Sequence, residues 1–357
     1  MDNNKTILIL SICIILLIWG AFVFLNPEVA GDSFSYLQTI DFLNEGNESF
    51  SDISFRFITT FGGLWSIIFF SKIFGDVLLA WLFMNVLFYI IATFVFYKLL
   101  LTLFKEKGVA FLGTLFLIGN YAILKFGLNF LMDIGGWISY IISIYFLLKY
   151  AESENKNYIL FASLTVGIGG LFKEYAFLPI IPIAIFLIYD NRQSIFKIIK
   201  NSWLPTLLAV VPTFFVYSYT FLKFGYSYID WLQINQETYV YSSRIIEYIK
   251  SLGSLLNLLG LLFLGGFFTL KKEWVDLNHR IKLFIISVFI SILPIFFWPA
   301  ITQRILFITV PFVVIVSSFF IKRYNKLFPV FVLVLFLYIL VSFFMDSFLL
   351  KVVNLPF

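Results

Sequence analysis

The stretch ILILSICIILLIWGAFVFL, residues 7–25, decides the fold class. It contains no charged residue, and its length is close to the roughly 20 apolar residues that a helix needs to cross the hydrocarbon core of a bilayer. The run is uninterrupted and lacks an A-x-A-like cleavage site, so it predicts a retained transmembrane helix rather than a removed signal peptide.

The composition of the whole chain agrees with this prediction. Apolar residues make up 61% of the 357 residues and charged residues 13%, whereas soluble domains average about 45–50% and about 25%. These values exclude a soluble globular protein. The single cysteine, Cys13, excludes a disulfide framework and a thiolate metal cluster. The single histidine, His279, leaves no His-rich metal site and disfavours a Ser-His-Asp triad.

Apolar runs recur along the chain and predict an all-α polytopic membrane protein, one transmembrane domain over residues 1–357 without a soluble C-terminal domain. We predict about eleven transmembrane helices: 7–25, 78–103, 109–125, 134–150, 158–172, 176–189, 203–222, 253–270, 283–298, 305–321 and 328–345. Residues 61–74 are also apolar, but Gly62-Gly63 and Lys72 interrupt them. We therefore expect a helix lying in the outer interface there.

The connecting segments alternate in charge, which predicts the orientation of the chain. One set of segments carries 16 of the 25 basic residues, and the positive-inside rule assigns that set to the cytoplasm. The basic residues of this set are Lys5, Lys98, Lys105, Lys107, Lys149, Lys156, Arg192, Lys197, Lys200, Lys271, Lys272, Arg280, Lys282, Lys322, Arg323 and Lys326. The prediction is a multi-pass protein of the cell membrane with a cytoplasmic N-terminus.

The longest segments then lie on the extracytoplasmic side, where we expect the function. Residues 26–77 form the first outer loop with interfacial helices, and residues 223–252 form a second outer segment. The second segment is aromatic, with Tyr226, Tyr228, Trp231, Tyr239 and Tyr241. Such a tract is typical of an interfacial aromatic belt, and stacking on sugar rings is the alternative.

Charged residues at the predicted outer ends of helices are the candidate functional groups. Asp32, Asp133, Lys173, Glu174 and Arg304 all map to that depth, where a charge is costly and marks a functional site by default. Topology predicts that they converge on one cavity. Each also has a simpler interpretation. Asp32 could be a solvated loop carboxylate and Asp133 a helix cap, the Lys173-Glu174 pair could be an interfacial turn, and Arg304 could be a headgroup anchor.

Paired glycines carry a structural prediction. Residues 167–170 read GIGG and sit within a predicted span, so they are not a nucleotide-binding loop. Together with Gly62-Gly63 and Gly135-Gly136, they predict close helix packing.

Five segments in order along the chain resemble motifs of the GT-C glycosyltransferases. They are residues 30–37 (AGDSFSYL), 56–75 (ending KIFG), 130–133 (FLMD), 167–175 (GIGGLFKEY) and 303–306 (QRIL) with Pro311. The first has the pattern D-x-x-x-Y-L after the first span. Asp32 is followed by Ser33, so the Asp-Glu pair of protein mannosyltransferases is absent, which leaves acceptor class and metal dependence open.

The resemblance implies a GT-C-like bundle and a sugar transfer from a polyprenyl-phosphate donor to a glycan, lipid or protein acceptor outside the cytoplasm. Asp32 would be the general base of an inverting displacement, and Asp133 would assist it. Arg304 and Lys173 would bind the donor phosphate, supported by Glu174, Tyr36 and Arg56. No cofactor is certain, but a divalent cation at the two carboxylates stays open. A nucleic-acid partner is not expected.

Three other functions compete with this one. A transporter or flippase would place charges along a path through the bilayer and would show internal repeats. A polymerase of the O-antigen type would use more outer arginines than Arg56, Arg244 and Arg304, and a non-catalytic scaffold would not need the charged cluster.

Overall fold

A computed structural model describes residues 3–45, 53, 55–225, 227–230, 233, 241 and 243–347. Within these ranges the chain is helical and contains no strand. We label its α-helices in chain order: α1 Asn3–Phe24, α2 Asp32–Glu45, α3 Phe55–Thr59, α4 Phe61–Phe74, α5 Val77–Phe104, α6 Lys107–Ile118, α7 Asp133–Ser153, α8 Lys156–Gly169, α9 Ile180–Asn191, α10 Ile195–Phe224, α11 Arg244–Glu273, α12 His279–Ile292, α13 Gln303–Leu306, α14 Val310–Arg323 and α15 Phe328–Phe343.

Nine helices in the described part of the chain are long and apolar enough to cross a membrane. The predicted all-α polytopic fold is therefore confirmed, but two of the eleven predicted spans, 109–125 and 158–172, are not long helices. Their helical parts, α6 and α8, have 12 and 14 residues. At 1.5 Å per residue they reach only about 18 and 21 Å, against the roughly 30 Å of the hydrocarbon core.

The segment that contains α6 nevertheless runs the length of its neighbour. The Tyr89 hydroxyl of α5 donates to the Ile118 carbonyl at 2.9 Å, and the Asn85 amide donates to the Asn129 carbonyl at 2.5 Å. The contacts on α5 thus shift toward its N-terminus, from Tyr89 to Asn85, as the chain runs from Ile118 to Asn129. A short π-helix at Ile123–Gly127 lies between these two contacts. Backbone after α6, whose Asn129 and Leu131 carbonyls accept from the Asn85 amide, thus continues this segment along α5.

The segment that contains α8 is built in the same way along α7. The Ser143 hydroxyl donates to the Ala162 carbonyl at 3.1 Å. Further along, Gly169 faces Ser139, and Lys173 faces Gly136. Residues 170–173 thus continue toward the start of α7 without helical structure, before the 3₁₀ helix Glu174–Phe177. The sequence prediction missed this feature because hydropathy measures the length of an apolar run, not how much of it is helical.

The first loop contains α2, α3 and α4, and their position in the membrane interface stays a prediction. They pack on the early part of α5 through a small apolar cluster that includes Tyr36, Phe57 and Trp81. The Trp81 indole donates to the Leu131 carbonyl at 3.3 Å. This cluster fixes α2, whose first residue is Asp32, against the end of the bundle where α7 begins. We call this the site end and the other the distal end.

Candidate active site

Arg304 brings two distant carboxylates together at the site end. Its Nη2 atom donates a short hydrogen bond to Asp32 Oδ2, and its Nη1 atom lies 3.8 Å from Asp133 Oδ2. Asp32 begins α2, Asp133 begins α7 and Arg304 lies in α13. Residues 272 positions apart in the sequence thus share one charged cluster, as the predicted convergence requires. Their chemical roles stay predictions.

Burial differs between the two carboxylates. The Asp133 side chain is completely buried, whereas 28% of the Asp32 side chain is exposed. The Tyr175 hydroxyl donates to Asp133 Oδ1 at 3.0 Å, and Asp133 Oδ2 accepts no hydrogen bond from the described residues. A buried carboxylate needs a counter-charge, and Arg304 supplies it. Asp32 is therefore the more accessible of the two carboxylates.

Tyr175 is a site residue that the sequence interpretation did not single out. It stands two residues after Lys173, in the 3₁₀ turn Glu174–Phe177 that follows α8. The hypothesis was built from charged residues alone, and a phenol among 19 tyrosines carries no comparable signal. Its position beside the Lys-Glu pair was the only clue available.

Lys173 occupies a nearly closed site beside the same cluster. Only 1% of the residue is exposed, and its ammonium donates to the Tyr36 hydroxyl at 3.0 Å. Tyr36 follows Asp32 by four residues and therefore lies on the same face of α2. Its ring is held edge-on by Phe57 at 4.5 Å and by Trp81 at 5.8 Å between centroids. Lys173 and Asp32 are thus connected through one rigid helix face.

Two glycines allow the Lys173 segment to lie directly on α7. A Cβ atom on Gly136 would stand 2.6 Å from Lys173 Cβ, and one on Gly135 would stand 2.7 Å from the Phe172 ring. Both distances are shorter than packed carbon atoms tolerate. The close packing predicted for the Gly135-Gly136 pair is confirmed, and here it positions a cation.

Replacing Gly136 by Ala is expected to lower the unfolding temperature and to displace Lys173. The new methyl group overpacks a buried contact, which costs about 1–3 kcal/mol. The matched control is Gly253→Ala in α11, where nothing lies within 4 Å of the added Cβ. That change should be neutral or stabilising, since Ala favours helix. Thermal unfolding of both variants in detergent measures the difference, and an unchanged Gly136→Ala variant would contradict this packing.

The loop before Arg304 is held by the start of α11. Arg244 donates to the carbonyls of Trp298 and Pro299 at 2.7 and 3.3 Å. The Tyr241 hydroxyl accepts a hydrogen bond from the Ile301 N–H at 2.8 Å. These contacts fix the loop that leads to α13, and hence the position of Arg304.

The other predicted residues of the outer segments have different outcomes. Glu174 accepts a hydrogen bond from the Tyr228 hydroxyl at 3.1 Å. Nearby, Asp230 accepts hydrogen bonds from the Ser227 hydroxyl and N–H, which hold the pKa of its carboxyl below the ordinary value. The Arg56 side chain lies outside the described residues, as do Tyr226, Trp231 and Tyr239.

The site offers few ligands for a metal ion. Across the described residues, no three His, Cys, Asp or Glu side chains come together as a candidate metal site. Asp32 and Asp133 both face the Arg304 guanidinium instead. The need for a divalent cation, left open by the sequence, is not tested by this arrangement.

One comparison with known proteins bears on the family, over a little less than half of the chain. Residues 59–219 match the family model described as dolichyl-phosphate-mannose-protein mannosyltransferase. The match supports a membrane glycosyltransferase of the GT-C type. It agrees with the resemblance drawn from the sequence motifs. No curated protein sequence matches the chain.

The matched region covers only part of the candidate site. It contains Asp133, Lys173 and Tyr175, whereas Asp32 and Arg304 lie outside it. The contacts of Arg304 therefore link the matched region to both flanking parts of the chain.

Replacing Tyr175 by Phe should lower glycosyl transfer about tenfold and leave the fold intact. The change removes the hydrogen bond from Tyr175 to the Asp133 carboxylate, which contributes about 1.5–3 kcal/mol because its acceptor is charged. Tyr121→Phe provides the same chemical change, because the Tyr121 hydroxyl donates to the Asp346 carboxylate outside the Asp133 contacts. Initial rates of transfer for the two variants test the assignment, and equal rates would remove Tyr175 from the site.

Proposed function

We propose that the protein transfers a sugar from a polyprenyl-phosphate donor to an acceptor hydroxyl on the extracytoplasmic side. The observation that carries this proposal is the contact of Arg304 with both Asp32 and Asp133. A partly exposed carboxylate beside a cation matches what the displacement needs, namely a base for the acceptor and a positive charge for the leaving phosphate.

Asp32 serves as the general base in this mechanism. The acceptor hydroxyl gives its proton to the Asp32 carboxylate while its oxygen forms a bond to the anomeric carbon. The bond from that carbon to the phosphate oxygen breaks, and the polyprenyl phosphate leaves with the electron pair. The attack comes from the face opposite the leaving group, so the configuration inverts.

Arg304 and Lys173 stabilise the leaving phosphate. The guanidinium presents several N–H donors in a plane and suits bidentate contact with phosphate oxygens. Lys173 is a buried ammonium whose hydroxyl partner, Tyr36, is uncharged. Arriving phosphate would share Arg304 with Asp32, which frees the carboxylate to take the proton. Asp133, buried and bonded to Tyr175, keeps Arg304 in place.

The placement of charges supports a one-sided site over the rival transport pathway. In α7 the charged residues are Asp133 at the start and Lys149 and Glu152 in the last turns. The span that contains α13 and α14 has Arg304 at its start and Lys322 and Arg323 at its end. Neither helix carries a charge in its middle, where a transport path would need one.

The direct test is donor turnover by the purified protein. The full chain in lipid vesicles is incubated with a panel of polyprenyl-phosphate sugars, each with simple acceptors, and released polyprenyl phosphate is quantified. The proposal expects release with at least one sugar and an inverted linkage in the product. Movement of an intact lipid-linked sugar across the vesicle membrane without any release would favour the flippase instead.

A further inference from the structure

We propose that the distal end of the bundle holds a separate binding site for an anionic phospholipid, between α8, α9 and α10. The site has two connected parts, a polar cavity for the phosphate headgroup and an apolar groove for one acyl chain. It is far along the helices from Asp32 and Arg304 and is independent of the proposed transfer reaction.

The polar cavity has a volume of about 440 Å³. Lys156, at the first position of α8, and Lys200, in the second turn of α10, both line it. Among the described residues, no carboxylate lies within 4 Å of either ammonium. Asn191 and Asn201 also line the cavity, joined by a hydrogen bond of 2.5 Å. Two cations and two amides are suitable donors for phosphate oxygens.

The two acidic residues of the cavity share one arginine, Arg280. Asp190 receives two hydrogen bonds from Arg280, at 2.8 and 3.1 Å, and one from the Tyr150 hydroxyl at 2.5 Å. Glu154 lies 3.7 Å from the same guanidinium. Arg280 thus offsets one of the two negative charges, and with Lys156 and Lys200 the five charged groups carry a net charge of +1. The cavity is therefore complementary to an anion.

The apolar groove continues from this cavity between α9 and α10. It has a volume of about 230 Å³ and shares Leu187 and Pro205 with the polar cavity. Ala184, Ala209 and Val210 line it further along. Val210 follows Lys200 by ten residues, which is about 15 Å of helix. The order from charged to apolar, over this length, matches a phospholipid headgroup followed by its chain.

Because the polar cavity and the apolar groove are continuous, the site favours a lipid over a soluble phosphate as its ligand. A soluble phosphate would use only the polar cavity and would gain nothing from the groove. Trp203, 57% exposed beside the cavity, is of the residue type that anchors at the boundary between headgroups and chains. We therefore assign the site to an anionic phospholipid of the surrounding bilayer.

Retention of lipid by the purified protein tests the assignment without any enzyme assay. The full chain is exchanged into detergent containing phosphatidylglycerol or phosphatidylcholine, and bound lipids are counted by native mass spectrometry. We expect selective retention of phosphatidylglycerol and a loss of about tenfold in its affinity for the double variant Lys156→Gln/Lys200→Gln. The matched control is Lys272→Gln/Lys326→Gln, which removes two exposed lysines from other helices of the same end and should retain the lipid.

A second variant tests the groove, and a competitor tests the ligand class. Ala184→Phe fills the groove and should also reduce retention, although both lysines remain. Glycerol 3-phosphate should not displace the lipid at equal concentration. Equal retention of the two lipids, equal loss in the control variant, or full displacement by glycerol 3-phosphate would each overturn the proposal.

Discussion

Replacing Asp32 by Asn is expected to lower the release of polyprenyl phosphate by about 10²–10⁴-fold, the usual contribution of a general base. Asn keeps the size of the side chain and an oxygen that accepts from Arg304, so the contact between α2 and α13 should persist. The loss should appear in kcat, because the amide cannot take the proton of the acceptor. The KM for the donor should not rise, since Arg304 is no longer shared with a carboxylate.

The control for this variant is Asp276→Asn, an exposed carboxylate at the distal end. It should transfer at the rate of the unchanged protein. Single-turnover measurements with the sugar donor that the panel identifies would separate chemistry from product release. Full activity of a folded Asp32→Asn protein would exclude Asp32 as the base.

Replacing Arg304 by Ala is expected to damage both activity and stability. Transfer should fall by about 10²–10³-fold, the typical cost of losing a donor that stabilises transition-state charge. The free energy of unfolding should fall by about 3–5 kcal/mol, because the buried Asp133 carboxylate would lose its counter-charge. Rates of polyprenyl phosphate release and thermal unfolding in detergent measure the two effects separately.

A double variant separates the two roles of Arg304. In Arg304→Ala/Asp133→Asn the buried carboxylate is gone, so much of the lost stability should return while transfer stays low. Arg304→Lys should keep a charge near Asp32 but lose the planar contact with both acids. Its transfer rate should therefore lie between that of the unchanged protein and that of Arg304→Ala. Recovery of transfer in the double variant would show that Arg304 has only a structural role.

The sequence predicted the contact between Asp32 and Arg304 because the alternation of basic segments assigns an end of the bundle to each helix terminus. Once both residues map to the same end, a contact between them becomes possible. Close packing at Gly135-Gly136 was predicted for a similar reason, since paired glycines in an apolar helix allow another segment to approach.

Other features depend on tertiary contacts that no local pattern contains. Tyr175 belongs to the site only because the chain after α8 turns back along α7 and directs one phenol toward Asp133. The two short segments were predicted as ordinary spans because a hydropathy profile does not show where α6 and α8 end. Side chains of α5, such as Asn85, make the irregular backbone after α6 possible, and pairing of this kind is invisible to a hydropathy profile.

The brevity of α6 and α8 has a consequence for biogenesis. A segment that leaves the translocon alone must satisfy its own backbone polar groups, and neither of these segments is helical over enough of its length to do so. The chain after α6 finds partners on α5, the helix made just before it, whereas the Leu171 carbonyl after α8 accepts from the Gly62 N–H of α4. We therefore expect the first segment to enter the lipid as a hairpin with α5, and the second to need α4 as well as α7.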